Sequence, residues 1–481
     1  MSLEKSLSVQ IVEKLFSLGV RELVSCPGGR SAALLNAFID HGGFEIESIY
    51  DERTAGFYAL GKSINSNKPV VVLTTSGSAV AGLYPAVLEA KYQVGACLVL
   101  LTADRPETHR FTGAPQTINQ LDFFGASGIT TVDVKTVKDV SVGDSVVHLN
   151  VSLAEPNLSP NMEKRYEFGD LVVIGSLRQN EKSQIVKSLA LFHGYVIAEP
   201  LSNIQKEDLP NAKIIKYPDL FFSKVSLGSF KRVFRLGGVP VSKFWRAVDQ
   251  TETFFWNNYS FPGAPDVKGL TLEEIAESLE TIPKQNEEVE DRLEIFDSMV
   301  EEVVSELPDS EVAQLQKISD AIPLGSRVFL GNSLPIREWV YCNPGRFENI
   351  GQRGVNGIDG SLSYFLGQLS SERENWIILG DITSLYNIND FQILTKLKNQ
   401  KVRIVVVNNS GGQIFSRIFK NNKDYFVNAQ NRSFKKLADF WGLGYVGGFT
   451  DAILPLKVLI ELKPKNTASS KMWDEWKALE F

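Results

Sequence analysis

The 481-residue chain carries 50 Lys and Arg against 57 Asp and Glu, which gives a formal net charge of −7. That length predicts about three domains, and the negative balance argues against nucleic acid or an anionic membrane as a partner. The three cysteines, Cys26, Cys97 and Cys342, lack metal-type spacing, and no apolar window approaches the roughly 18 residues of a membrane span. We therefore expect reduced thiols and a cytoplasmic protein.

From residue 1 to about 130 the chain alternates strand and helix patterns. Apolar runs predict the strands Glu22–Ser25, Glu45–Tyr50, Val70–Leu73 and Cys97–Leu101, and helical patterns between them include Ala79–Tyr92. Such alternation implies right-handed crossovers in a parallel sheet. Polar loops follow the strands at Pro27–Ser31, Asp51–Arg53, Thr75–Ser78 and Ala103–Pro106. We expect these loops to meet at one edge of an α/β domain.

Each of these loops allows two interpretations. Glu52 either places a charge at a helix N-terminus or is a buried carboxyl with a raised pKa that shares a proton with a ligand nitrogen. Thr75-Ser76-Gly77 is either an N-cap or a set of backbone donors for a ligand. Arg30 and Arg105 are either surface cations or, if they converge, bidentate partners of a substrate with several carboxylates.

Residues 166–315 predict a second, smaller α/β sheet. Its strands are expected at Leu171–Ile174, Tyr195–Ala198, Lys213–Tyr217, Val233–Leu236 and Thr253–Trp256. Residues 270–307 are rich in Glu and Asp at helical spacing, which predicts one or two solvated helices that link domains.

Residues 316–481 contain a strand–helix–strand unit. The run Trp376–Leu379 ends at Gly380-Asp381, and the run Val402–Val407 ends at Asn408-Asn409 and Gly411-Gly412. The carboxyl ends of neighbouring parallel strands form the ligand crevice of a doubly wound sheet. Asp381, Asn409 and a backbone carbonyl near Gly411 would then supply three oxygens, which suits Mg²⁺ that is also held by phosphate. The alternative is that both dipeptides form ordinary turns.

Two further segments of this region have ligand-loop character. Gly331–Leu334 is a turn after a strand, so Ser333 could face a phosphate or carboxylate, unless it is an ordinary Ser/Asn turn. Asn349–Gly360 has more glycine than a simple connection needs, which indicates a loop close to a ligand.

The spacing of Gly-Asp and Asn-Asn resembles the cofactor signature of thiamine diphosphate (ThDP) enzymes, with Ile382 in place of its usual third glycine. The segments Gly-Asp-Ile-Thr-Ser-Leu-Tyr-Asn and Asn-Asn-Ser-Gly-Gly-Gln-Ile-Phe are similar to one branch, the 2-succinyl-5-enolpyruvyl-6-hydroxy-3-cyclohexene-1-carboxylate synthase family (the MenD family) of menaquinone biosynthesis. Further motifs follow in family order over about residues 8–125 and 326–440.

The resemblance implies three α/β domains with doubly wound, mainly parallel sheets in the ThDP-binding fold. They are a pyrimidine-binding domain (1–165), a middle domain (166–315) and a domain that binds diphosphate and magnesium (316–481), assembled as a homodimer or a dimer of dimers. The implied cofactors are ThDP and Mg²⁺, with Mn²⁺ as a substitute. The implied reaction decarboxylates 2-oxoglutarate and adds the succinyl-semialdehyde carbanion to isochorismate.

The same resemblance assigns site residues by motif. Catalytic positions are Glu52, Gln116 and Arg353. Substrate-binding positions are Arg30, Arg105, Lys243, Ser333, Arg337 and Arg353. Cofactor-binding positions are Glu52, Thr75, Ser76, Gly77, Gly380, Asp381, Ile382, Gly412, Ile414 and Phe415. Metal ligands are Asp381, Asn409 and Gly411.

The chain departs from the family pattern at two substrate positions. Gly29 stands where the family has serine, and Phe244 stands where a Lys-Arg pair would place a second cation after Lys243. Two alternatives follow. The protein is another ThDP-dependent 2-oxo-acid decarboxylase or carboligase with a different acceptor, or it is a non-catalytic paralogue that keeps the ThDP fold.

Overall fold

The computed structural model describes residues 5–110, 114–143, 145–154, 167–242, 251–258, 268–280, 287–342, 344–416, 422–448 and 454–481. Strands in this part of the chain form three six-stranded sheets, and neighbouring strands pair in parallel. Helices flank the sheets, which confirms the predicted α/β class. The predicted site residue Lys243 and its neighbour Phe244 lie outside the described residues.

The first sheet lies within residues 22–152. Its strands are β1 (Glu22–Ser25), β2 (Glu45–Ser48), β3 (Val70–Thr74), β4 (Leu98–Asp104), β5 (Thr131–Val134) and β6 (Val147–Ser152). The accompanying helices are α1 (Leu7–Ser17), α2 (Ala32–His41), α3 (Glu52–Ser66), α4 (Ser78–Gly82) and α5 (Tyr84–Tyr92). The strand order is β2-β1-β3-β4-β6-β5, so the direction of winding reverses between β1 and β3.

Two local expectations for this region were wrong, and two strands were missed. The helix expected over Ala79–Tyr92 is divided into α4 and α5, and a proline in the first turn of α5 explains the break because it cannot continue a preceding helix. Asp104 ends β4 instead of lying in the following loop. The strands β5 and β6 were not expected at all.

The second sheet contains β7 (Phe168–Ile174), β8 (Tyr195–Ala198), β9 (Lys213–Ile214), β10 (Phe230–Leu236), β11 (Glu252–Trp256) and β12 (Lys268–Leu270). Its order is β12-β11-β10-β7-β8-β9. The helices of this region are α6 (Lys182–Ser188), α7 (Pro218–Phe221) and α8 (Leu272–Ser278), followed by α9 (Glu287–Glu306) and α10 (Glu311–Ala321). Helix α9 is not simply solvated as expected, because Phe296 and Val300 are buried in a cluster with Trp476.

The third sheet contains β13 (Arg327–Leu330), β14 (Glu348–Gly351), β15 (Asn375–Gly380), β16 (Val402–Val407), β17 (Gly444–Gly447) and β18 (Lys457–Leu462). Its helices are α11 (Leu334–Glu338), α12 (Ser361–Leu366), α13 (Asp381–Tyr386), α14 (Gln392–Lys396), α15 (Gln413–Ser416), α16 (Lys423–Val427), α17 (Lys435–Phe440) and α18 (Asn466–Ala478). The order β14-β13-β15-β16-β18-β17 repeats that of the first sheet.

The chain forms two compact units. The first comprises residues 1–156, 355–357 and 411–430, and the second comprises residues 157–354, 358–410 and 431–481. In each, central strands such as β3 and β16 are buried along their whole length, as expected for parallel strands covered on both faces. The predicted domain bounds 1–165, 166–315 and 316–481 remain a prediction. Within the described residues, the helices are too short or too polar to cross a membrane.

Candidate active site

Two glycines bring three loops of the first unit together. A Cβ atom on Gly28 would lie 2.2 Å from the Cβ of Thr75, and the Arg30 N–H donates to Thr75 Oγ1 at 3.3 Å. A Cβ atom on Gly77 would lie 3.0 Å from the Cα of Gln116. Only glycine permits approaches this close. The loops after β1 and β3 and the segment around Gln116 therefore form one surface.

Arg105 supports the segment that carries Gln116. It follows β4, is 4% exposed, and donates from Nε and Nη2 to the carbonyl oxygen of Pro115 at 3.1 and 2.7 Å. Gln116 itself has φ +56°, which is uncommon for a residue with a side chain. The buried guanidinium thus helps to hold Gln116 in a strained position beside Gly77.

Glu52 is a buried carboxyl at the start of α3. The helix is capped by Asp51, whose Oδ1 accepts from the Thr54 N–H at 2.9 Å, so Glu52 is not needed for the cap. Glu52 is 9% exposed. Burial raises the pKa of the Cys26 thiol, and the negative charges of Glu52 and Asp51 raise it further, which places the Glu52 carboxyl near the end of β1. A buried carboxyl suits a proton-sharing role better than a solvated helix-end charge.

Arg30 lies half-buried at the rim of this surface. Its Nη1 atom is 3.3 Å from the carbonyl oxygens of both Leu153 and Ala154. The neighbouring Gly29 is exposed, and a Cβ atom there would meet nothing within 4 Å. There is therefore enough space at this position for the serine side chain that the family has.

The segment that begins at Gly411 also belongs to the first unit. Gly411 has φ +122°, and a Cβ atom on it would lie 2.6 Å from the carbonyl oxygen of Val427. The Gly412 N–H donates to that same oxygen at 2.6 Å. The Gly411 carbonyl accepts from the Gln413 N–H at 2.8 Å and has a second lone pair. Phe415 packs against the apolar core of the first unit, so close packing fixes the backbone of this segment.

Asp381 and Asn409 follow the paired ends of β15 and β16 in the second unit. Gly380 and Val407 are register partners, so Asp381 directly follows one strand end and Asn409 lies two residues past the end of the neighbouring strand. Asp381 is 2% and Asn409 5% exposed, and Asp381 Oδ1 accepts from the Ile382 N–H at 2.7 Å. Asn409 Oδ1 is buried and accepts no hydrogen bond from the described residues. Because a buried acceptor without a partner is unfavourable, this oxygen is suited to a cation.

A second group of predicted residues lies near the ends of β13 and β14. Ser333 has φ +78° and ψ −129°, and its carbonyl accepts from Arg337 Nη1 at 2.5 Å. Arg353 Nη1 donates to Asn332 Oδ1 at 2.7 Å. Burial and the positive charge of Arg337 lower the pKa of Arg353 to about 10, whereas Glu199 opposes the shift. Because the positive charges of Arg337 and Arg353 repel each other, binding of an anion close to both side chains would be favourable.

Glu199 was not expected to take part in a site. It follows β8, is 4% exposed, and accepts from the backbone N–H groups of Val241 and Ser242 at 2.7 and 2.9 Å and from Ser242 Oγ at 2.6 Å. Burial raises the pKa of Glu199, while these bonds and the charge of Arg353 lower it. Burial also lowers the pKa of Arg235 to about 10, against the effect of Glu199. The Glu199 carboxyl therefore lies close enough to Arg235 and Arg353 for its charge to raise the pKa of both guanidinium groups.

Known proteins match nearly the whole chain. Residues 5–123 match the family model described as the thiamine pyrophosphate enzyme, N-terminal TPP binding domain. The 2-succinyl-5-enolpyruvyl-6-hydroxy-3-cyclohexene-1-carboxylate synthase of Bdellovibrio bacteriovorus is 30% identical over 98% of this chain and 98% of its own length. This chain belongs to that synthase family. The synthases of Akkermansia muciniphila and Desulfitobacterium hafniense are 30% and 31% identical, over 89% and 86% of both chains.

The side chains present fit the cofactor that membership of the synthase family implies. The carboxylate oxygens of Asp381 and the Oδ1 atom of Asn409 form the all-oxygen set that Mg²⁺ prefers, and Asn409 Oδ1 accepts no hydrogen bond within the described part of the chain. In the first unit, Glu52 offers a buried carboxyl, and backbone around Gly77 and Gly411 is held in conformations that require glycine.

Two residues of this synthase-family chain illustrate what motif reading misses. Asn332, whose Oδ1 atom accepts a hydrogen bond from Arg353, lies inside the Gly331–Leu334 turn. A polar side chain at the end of a strand could have identified it as a site residue. Glu199 offered a weaker signal, since it is a carboxylate directly after a buried strand with no motif around it.

Proposed function

We propose that this member of the synthase family is a ThDP- and magnesium-dependent carboligase. It decarboxylates 2-oxoglutarate and adds the remaining four-carbon unit to isochorismate, forming 2-succinyl-5-enolpyruvyl-6-hydroxy-3-cyclohexene-1-carboxylate in menaquinone biosynthesis. The observation that carries the proposal is the emergence of two buried oxygen donors, Asp381 and Asn409, from the paired ends of β15 and β16. Family membership supports the same reaction.

Asp381, the Oδ1 atom of Asn409 and the carbonyl of Gly411 would hold Mg²⁺ or Mn²⁺. The diphosphate and rings would lie against Thr75, Ser76, Gly77, Gly380, Ile382, Gly412, Ile414 and Phe415. ThDP supplies a nucleophilic carbon and an electron sink when it is bound. The buried Glu52 carboxyl holds a proton at the pyrimidine ring nitrogen, a role that requires a site shielded from water.

The arginines bind the carboxylates of the two substrates. Arg30 and Arg105 supply cations in the first unit, and Ser333, Arg337 and Arg353 supply a donor and two cations in the second. Gln116 positions the reacting group, since its strained backbone is fixed by Arg105 and Gly77. Lys243 is assigned to the acceptor on its motif alone.

We also propose that the active form is a homodimer in the cytoplasm, either alone or as a dimer of dimers. Helices α3 and α5 and the following turn expose large apolar side chains: Phe57 and Tyr58 are 43% and 41% exposed, and Tyr92 and Val94 are 78% and 90% exposed. A second copy would cover such a patch. Sedimentation analysis that finds only monomer at micromolar concentration would contradict the dimer.

Activity is tested by incubating the protein with ThDP, Mg²⁺ and 2-oxoglutarate and measuring CO2 release with and without isochorismate. We expect isochorismate to be consumed with formation of the succinylated product. Decarboxylation without consumption of isochorismate, but with consumption of an added aldehyde, would favour a carboligase with another acceptor. Binding of ThDP and Mg²⁺ by calorimetry without CO2 release would favour the non-catalytic paralogue.

The role of Glu52 is tested by Glu52→Gln. Loss of the ionisable carboxyl should lower turnover by about 10² to 10⁴, the usual contribution of general acid–base catalysis, while ThDP affinity stays within a few fold. Asp40→Asn is the matched control, because Asp40 is an exposed carboxyl on α2 of the same unit. Equal turnover in the Glu52→Gln variant and the Asp40→Asn control would refute the assignment.

A further inference from the structure

The proposed metal ligand Asn409 is held by a carboxylate that no motif marks. Its Nδ2 atom donates to Glu311 Oε2 at 2.9 Å, and Asn466 Nδ2 donates to the Asn409 backbone carbonyl at 2.8 Å. Asn409 and Glu311 are 98 residues apart in the sequence. Both are nearly inaccessible, at 5% and 2% exposure. Side chain and backbone of Asn409 are therefore fixed by residues from α10 and α18.

Glu311 is itself held in place. It is the first residue of α10, whose N-cap Ser310 accepts from the Ala313 N–H at 3.2 Å. The Glu311 N–H donates to Ser469 Oγ at 2.9 Å. An acidic residue in a first helical turn usually remains in water, where the helix end stabilises it modestly. Burying this carboxylate is expensive, so its position requires compensation beyond helix stabilisation.

The chemistry of the pair determines which way the Asn409 amide faces. An ionised carboxylate only accepts hydrogen bonds, whereas an amide has one accepting oxygen and one donating nitrogen. With Nδ2 directed at Glu311, Oδ1 faces the other way, and this is the oxygen that accepts no bond from the described residues. The reversed amide would place two oxygens against each other and present a nitrogen donor where a cation needs an oxygen.

We infer that Glu311 is a positioning residue for the metal, which holds the Asn409 amide with Oδ1 directed toward the cation. This inference rests on the proposed function, because it takes Asn409 as a ligand. Partners that orient a ligand typically change metal affinity by 10- to 100-fold when they are removed. Glu311 acts through Asn409 and does not touch the cation.

The test measures Mn²⁺ binding by electron paramagnetic resonance of the free ion, with ThDP present and no substrate. Glu311→Ala should weaken Mn²⁺ binding by about 10- to 100-fold. Glu311→Gln should weaken it less, because its amide oxygen can still accept from Asn409 Nδ2 but its own NH2 group can also face Asn409 Oδ1. Glu306→Gln, at an exposed position near the end of α9, should bind Mn²⁺ like the wild type.

A double-mutant cycle separates positioning from general structural support. In an Asn409→Ala background, Glu311→Ala should add little further loss, because the ligand on which it acts is gone. Independent, additive losses would overturn the inference. Should Glu311→Ala fail to fold, Glu311→Gln decides: Mn²⁺ binding at least threefold weaker than in the control supports the role, and unchanged binding overturns it. If the wild type binds no Mn²⁺ with ThDP, the proposed function itself fails.

Discussion

Gly77 offers a sharp test of the loop arrangement in the first unit. Its backbone has φ +88° and ψ −141°, a conformation that residues with side chains rarely adopt, and a Cβ atom would lie 3.0 and 3.1 Å from the Cα and C atoms of Gln116. Both atoms belong to the backbone, so no change of rotamer relieves the contact. Gly77→Ala must therefore displace the segment that carries Gln116.

A matched control isolates the contact from the backbone strain. Gly19 has a similar φ of +91°, but a Cβ atom on it would meet nothing within 4 Å. Both alanine variants should lose about 1–3 kcal/mol of stability through the unfavourable φ, as measured by chemical denaturation. Only Gly77→Ala adds a collision with the backbone next to a proposed cofactor contact.

We expect Gly19→Ala to retain wild-type ThDP affinity and CO2 release from 2-oxoglutarate. Gly77→Ala should lose at least about tenfold in kcat/KM for this decarboxylation, because small displacements of positioning groups have large kinetic effects. ThDP affinity, measured by calorimetry, should fall with it. If both variants show the same ThDP affinity and the same rate, the contact between Gly77 and Gln116 has no part in the site.

Two further predictions concern buried ionisable groups. Burial lowers the pKa of His148 from 6.5 to about 4, and its ring nitrogens lie 2.8 and 2.7 Å from the hydroxyls of Thr102 and Thr131. Because the unfolded chain takes up the proton first, the stability gained from neutral His148 is complete above pH 6.5 and is lost between pH 6.5 and 4, by about 3 kcal/mol in total. His148→Gln should flatten the change in unfolding free energy between pH 7 and pH 5, and an unchanged slope would contradict this. Glu199→Gln removes a negative charge that raises the pKa of Arg353, so the alkaline limb of the CO2-release profile should move toward lower pH, and identical profiles would count against the pairing.

The strand–helix–strand unit at the centre of the third sheet follows from local sequence. The uninterrupted apolar runs that became β15 and β16 predict buried parallel strands, and the polar residues that end them predict a crevice. The sequence therefore determined that Asp381 and Asn409 would follow the ends of two adjacent strands, because parallel strands align their carboxyl ends. For the same reason it placed Glu52 and Thr75 at one edge of the first sheet.

Only the tertiary structure decided which way these side chains face and what holds them. The amide of Asn409 is oriented by Glu311, which is 98 residues away in the sequence. The pKa of Arg353 is raised by the charge of Glu199, which follows a strand of another sheet. Hydrophobic periodicity and motif spacing in the sequence do not indicate such pairs, because the pairs form only when separate elements pack together. Local patterns fix where a polar residue leaves its strand, but burial and hydrogen bonding between distant segments fix its charge and direction.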